Sequence, residues 1–161
     1  MEFIGEYRFA ASAQDVWLAL NDPEVLKQTI PGCDKMERIT PTDFAGHLKV
    51  DLGLFNAGFS GTIKLSELAP PTSYRITVAA HAMLVGSASG SAKVRLIDDP
   101  AGAVLYYQAE TALGGRLAKF GAKLMHGTAT RYADKFFARF AEAMAQRNTA
   151  GNDVIERLPP G

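Results

Sequence analysis

Cysteine is almost absent from this chain of 161 residues: Cys33 stands alone, so no internal disulfide is available and the composition suits a reducing compartment. Net charge is absent too. The 17 basic and 17 acidic residues cancel, so nothing global draws the protein to nucleic acid or to a membrane. No basic stretch followed by an apolar run opens the chain, and no secretory signal is read there. No apolar run approaches the roughly 20 residues that a membrane-spanning helix needs. A cytoplasmic protein is therefore expected.

Catalytic signals are equally sparse. No two of the three histidines, His47, His81 and His126, have metal-ligand spacing, and one cysteine makes no zinc site. No nucleophile stands with a base. Gly86-Ser-Ala-Ser-Gly90 is glycine-rich but opens a strand rather than a helix, which makes a poor phosphate cradle. Glu110 falls between Ala109 and Thr111, the residues that alternation turns inward. His47 and His81 alternate outward, although a bulge near Met83 would turn His81 in. The reading is no catalytic residue and no metal. It shifts towards an enzyme should His81 and Glu110 both face inward and meet.

What is present is a regular punctuation. Residues 2–10 read as a strand. Ser12 is placed to cap a short helix through Trp17 and Leu20, and Asp22-Pro23 to start a second that Pro31-Gly32 ends. Strands follow with turn signals at Pro41-Thr42, Asn56, Pro70-Pro71, Gly86 and Asp98-Asp99-Pro100, and residues 102–113 make the last. One long helix over about 116–147 closes the domain, and 148–161 has the composition of a loose tail. Two short helices, then six strands, then one helix predict an α+β domain with a curved seven-stranded antiparallel sheet around the long helix.

Alternation sorts the faces. Phe44, Leu48, Val50 and Leu52 share one side of their strand, as do Phe59, Ile63 and Leu65 on the next. In the middle strands the inward residues become small: Ala80, Ala82, Ala88, Gly90, Ala92 and Ala109. Interiors are close-packed, so the gap these leave is either filled by Phe120, Leu124, Tyr132 and Phe136 of the helix or kept for a ligand. The expected wall of such a cavity is Ala80, Gly90 and Ala92 from the sheet, Leu117, Phe120, Leu124 and Tyr132 from the helix, and Phe55, Phe59 and Met83 near two turns. On this reading Gly90→Leu or Ala92→Phe fills it from the sheet side. Trp17 and Cys33 are assigned to the core.

The first half of the long helix is crowded with glycine, at 114, 115, 121 and 127, each costing roughly 1 kcal/mol in a helix interior. The apolar stripe shifts near Gly127, which predicts a bend there. The weak half is either a movable cover or the result of close packing of Gly121 on the sheet. It is also basic. Arg116, Lys119 and Lys123 have no acid among them up to Arg131. With Leu54 and Phe55 in a neighbouring turn, they form a candidate docking surface for anionic lipid or for an acidic patch on a partner. The bland alternatives are a solvated helix face and a hairpin tip folded back on the helix.

Four phrases carry a family resemblance: VWLALNDPEVLKQTIPGC, AGFSGTIKLSELAPPTSYRI, GSASGSAKVRL, and GGRLAKFGAKL with ADKFFARF after it. From Gly5-Glu6-Tyr7 to Phe136-Phe137 the chain resembles the CoxG family, the G-subunits of carbon monoxide dehydrogenase, within the helix-grip, START-like superfamily that also holds polyketide cyclases. The resemblance implies a single START-like domain over 1–147. It implies a non-catalytic accessory protein of a molybdenum hydroxylase, with a hydrophobic molecule such as a quinone or lipid in an apolar cavity and no other cofactor. Its implied task is to help recruit the enzyme to the inner face of the membrane. Longer members carry a C-terminal hydrophobic anchor. None is read here, so surface attachment or partner docking is expected. The alternative is a cyclase- or hydratase-like enzyme acting on a hydrophobic molecule in the same cavity.

Overall fold

The computed structural model describes residues 1–53 and 55–157, with side chains up to residue 146 apart from residue 122. Strand β1 (Glu2–Phe9) leads into helices α1 (Ala13–Leu20) and α2 (Pro23–Thr29). Six strands follow: β2 (Cys33–Thr40), β3 (Asp43–Asp51), β4 (Asn56–Ala69), β5 (Ser73–Ala82), β6 (Gly86–Asp99) and β7 (Gly102–Gly114). A 3-10 segment (Gly115–Phe120) then precedes α3 (Ala122–Arg157). The seven strands form one antiparallel sheet in the order β1-β7-β6-β5-β4-β3-β2. This is the helix-grip arrangement, a curved sheet wrapped on one long helix.

Local chemistry places the short helices. The Ser12 hydroxyl accepts from the Asp15 amide at 3.1 Å and caps α1. The Asp22 carboxylate accepts from the Glu24 amide at 3.0 Å, with Pro23 in the first turn of α2. Both satisfy helix-end amides that would otherwise lack a partner.

Two hydrophobic clusters hold the layers together. The larger lies where α1 and the distal half of α3 meet the sheet, around Phe9, Trp17, Tyr74, Leu96, Phe140 and Met144. Trp17 meets Tyr74 edge-on at 4.8 Å, and Phe140 meets Phe9 edge-on at 5.2 Å. The smaller lies at the opposite end, around Leu52, Phe59, Ala82, Leu117 and Met125. Between them Tyr7 clamps β1 to α3. Its ring stacks on Phe137 at 3.8 Å, and its hydroxyl donates to the Asp134 carboxylate at 3.0 Å. Burial, then that hydrogen bond, pushes the Tyr7 hydroxyl up to about 12.

The structure revises the reading of the long helix in three respects. The α-helix starts at Ala122 rather than near 116, because residues 115–120 wind as a 3-10 segment. The chain breaks at Gly121, at φ +90°, and not at Gly127. Close packing does not explain that break, since a Cβ on Gly121 would meet nothing within 4 Å. At its far end α3 runs on to Arg157, through most of the stretch read as a loose tail. Cys33 is half-buried rather than fully enclosed. Its Sγ donates to the Lys35 carbonyl at 3.3 Å, and burial raises the thiol pKa.

Two outcomes follow. Phe140 has no exposed surface, so Phe140→Ala is expected to lower unfolding free energy in urea by about 3–5 kcal/mol. The Tyr7 contribution depends on pH. An unperturbed tyrosine ionises near 10, and Tyr7 in the folded protein near 12. The folded state therefore favours the neutral phenol. That stabilisation is complete below the lower value and is lost as pH rises through the upper one. Spectrophotometric titration at high pH should show the loss, and Tyr7→Phe should make stability less sensitive to pH in that window.

Candidate ligand cavity

The register of the sheet sets small residues opposite one another. Ala80 pairs with Ala88 and with Gly61, and Ala92 stands between Ile76 and Ala109. With no bulk on this face, the sheet and α3 stay apart. The gap is a cavity of about 520 Å³. Leu48, Val50 and Leu52 of β3 and Phe59 of β4 line one side, and Ile76, Val78, Ala80, Ala88, Gly90 and Ala92 form the floor. The roof is α3, through Met125, Thr128, Tyr132 and Phe136, with Leu117 of the 3-10 segment at one end. A second lobe of about 290 Å³ lies towards the aromatic core, walled by Leu26, Phe44, Leu65 and Tyr74. Ile30, Ile76, Tyr107 and Phe137 border both lobes.

Nearly all of the cavity surface is apolar. Two of its polar groups are hydrogen-bonded within the protein. The Tyr132 hydroxyl accepts from the Asp51 amide at 2.8 Å, and the Thr128 hydroxyl donates to the Leu124 carbonyl at 3.1 Å. Among the described residues no buried side-chain nitrogen or oxygen lacks a hydrogen bond. Burial, and then the nearby Asp134, raises the pKa of Tyr107. Neutral phenols, threonine hydroxyls and hydrocarbon are what a guest would meet.

Of the sequence-predicted wall, the structure brings Phe59, Ala80, Gly90, Ala92, Leu117 and Tyr132 together round the cavity. It places the other four elsewhere. Met83 is 80% exposed at the β5–β6 turn. Leu124 is 46% exposed, because the break at Gly121 rotates α3 and brings Met125 inward instead. Phe120 leaves the cavity and packs at 5.9 Å from Phe55, which is folded back on it at the β3–β4 turn. Met125, Ala129 and Phe137 were missed, though counting back by threes and fours from Met144 and Phe140 reaches them. Ile30 and Pro31, at the α2–β2 corner, gave no sequence signal.

The three histidines stay off the cavity. His47 lies over Gly58, and its Nδ1 is 2.8 Å from an Asp34 oxygen. That hydrogen bond holds the Asp34 carboxyl below its usual range. His81 is exposed on β5, and His126 is exposed on α3 with its ring stacked on Phe3 at 4.7 Å. Glu110 borders the cavity but is exposed. It does not meet His81: β6 lies between them, where their partners are Ser91 and Ser87. Among the described residues no group of three histidines, cysteines or carboxylates could hold a metal ion.

Of the docking candidates, Leu54 lies outside the described residues. Arg116, Lys119 and Lys123 are all exposed, and among the described residues none of them forms an ion pair. Lys123 and Arg131 flank a shallow surface groove floored by Phe120 and Leu124. No helix among the described residues is long and apolar enough to cross a membrane.

Comparison with known proteins bears on the fold and the family. A conserved protein from Geobacillus kaustophilus superposes with a TM-score of 0.84 over 91% of this chain and 96% of its own, at 21% identity. The ZhuI aromatase/cyclase from Streptomyces sp. R1128 does so with a TM-score of 0.65 over 91% and 94%, at 17% identity. Protein Ms6760 from Mycobacterium smegmatis gives 0.69 over 91% and 92%, at 11% identity. At these identities the likeness is one of fold, and it is to START-like proteins that include cyclases. No curated protein matches the chain in sequence. The family model for the carbon monoxide dehydrogenase G-subunit, CoxG, matches residues 5–145, nearly the whole of the domain, and the chain belongs to that CoxG family.

Proposed function

We propose that this protein is a non-catalytic accessory protein of a molybdenum hydroxylase of the carbon monoxide dehydrogenase type. It holds a quinone or lipid in its cavity and helps bring the enzyme to the inner face of the membrane. The observation that carries the reading is the 520 Å³ cavity with an almost wholly apolar surface. Small-molecule sites typically run about 300–1,000 Å³ and are mostly apolar. Family membership supports the partner class, since the family is named for a component of carbon monoxide dehydrogenase.

The second reading is an enzyme of the cyclase or hydratase kind, favoured by the fold shared with an aromatase/cyclase. Chemistry on a bound substrate needs a group poised to move a proton. In this cavity that role falls to Tyr107 and Tyr132, and to Glu110, which is exposed at its border. Burial holds the Tyr107 hydroxyl neutral, and Tyr132 already accepts from the Asp51 amide. Geometry thus favours the carrier.

Occupancy has a direct test. Ala92 borders both lobes, so Ala92→Phe should abolish uptake of a quinone analogue while costing less than the usual overpacking penalty of about 1–3 kcal/mol. Isothermal calorimetry and urea unfolding read the two effects, and unchanged affinity would place the ligand elsewhere. Gly90→Leu is the poorer variant. A Cβ there would lie 2.9 Å from the Glu110 carbonyl oxygen and 3.3 Å from Thr111 Cγ2, straining the β6–β7 pairing itself. Docking is tested separately. Arg116→Glu, Lys119→Glu and Lys123→Glu together should leave the melting temperature nearly unchanged, because all three side chains are exposed. The triple variant should lose binding to anionic vesicles or co-purification with the hydroxylase. Retention of both would reduce this face to solvated surface.

A further inference from the structure

One segment of the cavity wall is built differently from the rest. Residues Gly115–Phe120 form a 3-10 turn between two glycines in the left-handed region, Gly115 at φ +66° and Gly121 at φ +90°. Phe120 of this segment is half-buried against the small cluster and Phe55, and Leu117 points into the protein. It is 1% exposed, lines the cavity, and belongs to the small cluster that closes that end. Arg116, Ala118 and Lys119 around it face solvent. The Leu117 amide donates to the Val85 carbonyl at 3.0 Å, tying the segment to the β5–β6 turn.

The two glycines differ in a way that identifies the hinge. A Cβ on Gly115 would lie 2.9 Å from the Gly86 Cα, so that glycine is seated tightly against the sheet. A Cβ on Gly121 would meet nothing within 4 Å. Its glycine is required by backbone conformation and not by packing. Gly121 interrupts what would otherwise be one continuous helix, at a point where no neighbour obliges it to. A short segment held by two packed side chains and one tie, with a free hinge at one end, opens by breaking few contacts.

We propose that Gly115–Phe120 is a lid over the cavity, hinged at Gly121, and that ligand enters and leaves beneath Leu117 when the Leu117–Val85 tie breaks. The inference rests on the reading of the cavity as a ligand site. It adds a route, a moving part and a gating residue to that reading. The closed position demands a left-handed residue 121; once the lid lifts, residue 121 is free to take an ordinary φ. Strain placed at this position therefore falls on the closed state alone and shifts the population towards open.

Gly121→Ala applies that strain, and Gly127→Ala is its control. Both added methyl groups meet open space, but Gly127 has no left-handed φ. In stopped flow with the apolar fluorophore N-phenyl-1-naphthylamine, Gly121→Ala should release the probe about tenfold faster, the factor expected from a left-handed penalty on the closed state. Gly127→Ala should leave the rate unchanged. Equal rates for the two variants would overturn the lid. Amide hydrogen exchange decides the question without any ligand. In the unaltered protein the Leu117 amide should exchange at least about 100-fold faster than the amides of the β6–β7 ladder, and faster still in Gly121→Ala. Protection of Leu117 equal to that of the ladder would also overturn it. Failure of the probe to bind at all would count against the carrier reading, and the exchange measurement would still settle the lid.

Discussion

The rest of the structure depends on a deficiency of bulk. Across β5, β6 and β7 the middle of the floor below α3 is made of small residues, Ala80, Ala88, Gly90, Ala92 and Ala109. A helix cannot close-pack on such a floor while its own large side chains are engaged elsewhere. Here they are engaged at the two ends. Phe140 and Met144 sink into the aromatic core beside Phe9, and Met125 joins Leu52, Phe59 and Leu117 at the other end. The helix is propped at both ends and bridges the space between.

Props of this kind have to be stiff, and the polar contacts supply some of that stiffness. Tyr7 joins β1 to α3 through a stacked ring and a hydrogen bond to Asp134. Tyr132 joins the end of β3 to α3 by accepting from the Asp51 amide. Both tyrosines leave their apolar rings on the inner side and engage their hydroxyls with partners. The result is a container rigid along its roof and apolar within. Its most lightly held piece is the 3-10 segment, where Leu117, Phe120 and one backbone hydrogen bond to Val85 do what whole turns of helix do elsewhere.

Family membership points the surroundings of this container towards a dehydrogenase. The fold itself is neutral on function, since START-like proteins include an aromatase/cyclase. The discrimination therefore falls to the side chains in the cavity and to the basic surface beside the lid. Exposed cations without acidic neighbours are available to an anionic surface.

Sequence by itself determined the order of elements and the facing of strands β3 to β7. Both are local matters: Ser12 and Asp22 cap their helices through neighbouring amides, and alternation along a strand is enforced by the backbone. The small residues of the floor were legible for the same reason, and so was the existence of a gap above them. What only the tertiary structure decided was how the roof meets that floor. A helix read as continuous from 116 puts Leu124 and Phe120 inside. The break at Gly121 changes the phase, turning Leu124 out, bringing Met125 in, and leaving Phe120 to pack on Phe55. A single residue at φ +90° leaves no mark in a hydrophobic period beyond the glycine itself, and four glycines in fourteen residues gave no means of choosing among them. Met83 shows the other limit. A turn residue's direction depends on what packs beneath the turn, and here Ala82 and Val85 occupy that place and leave Met83 in solvent.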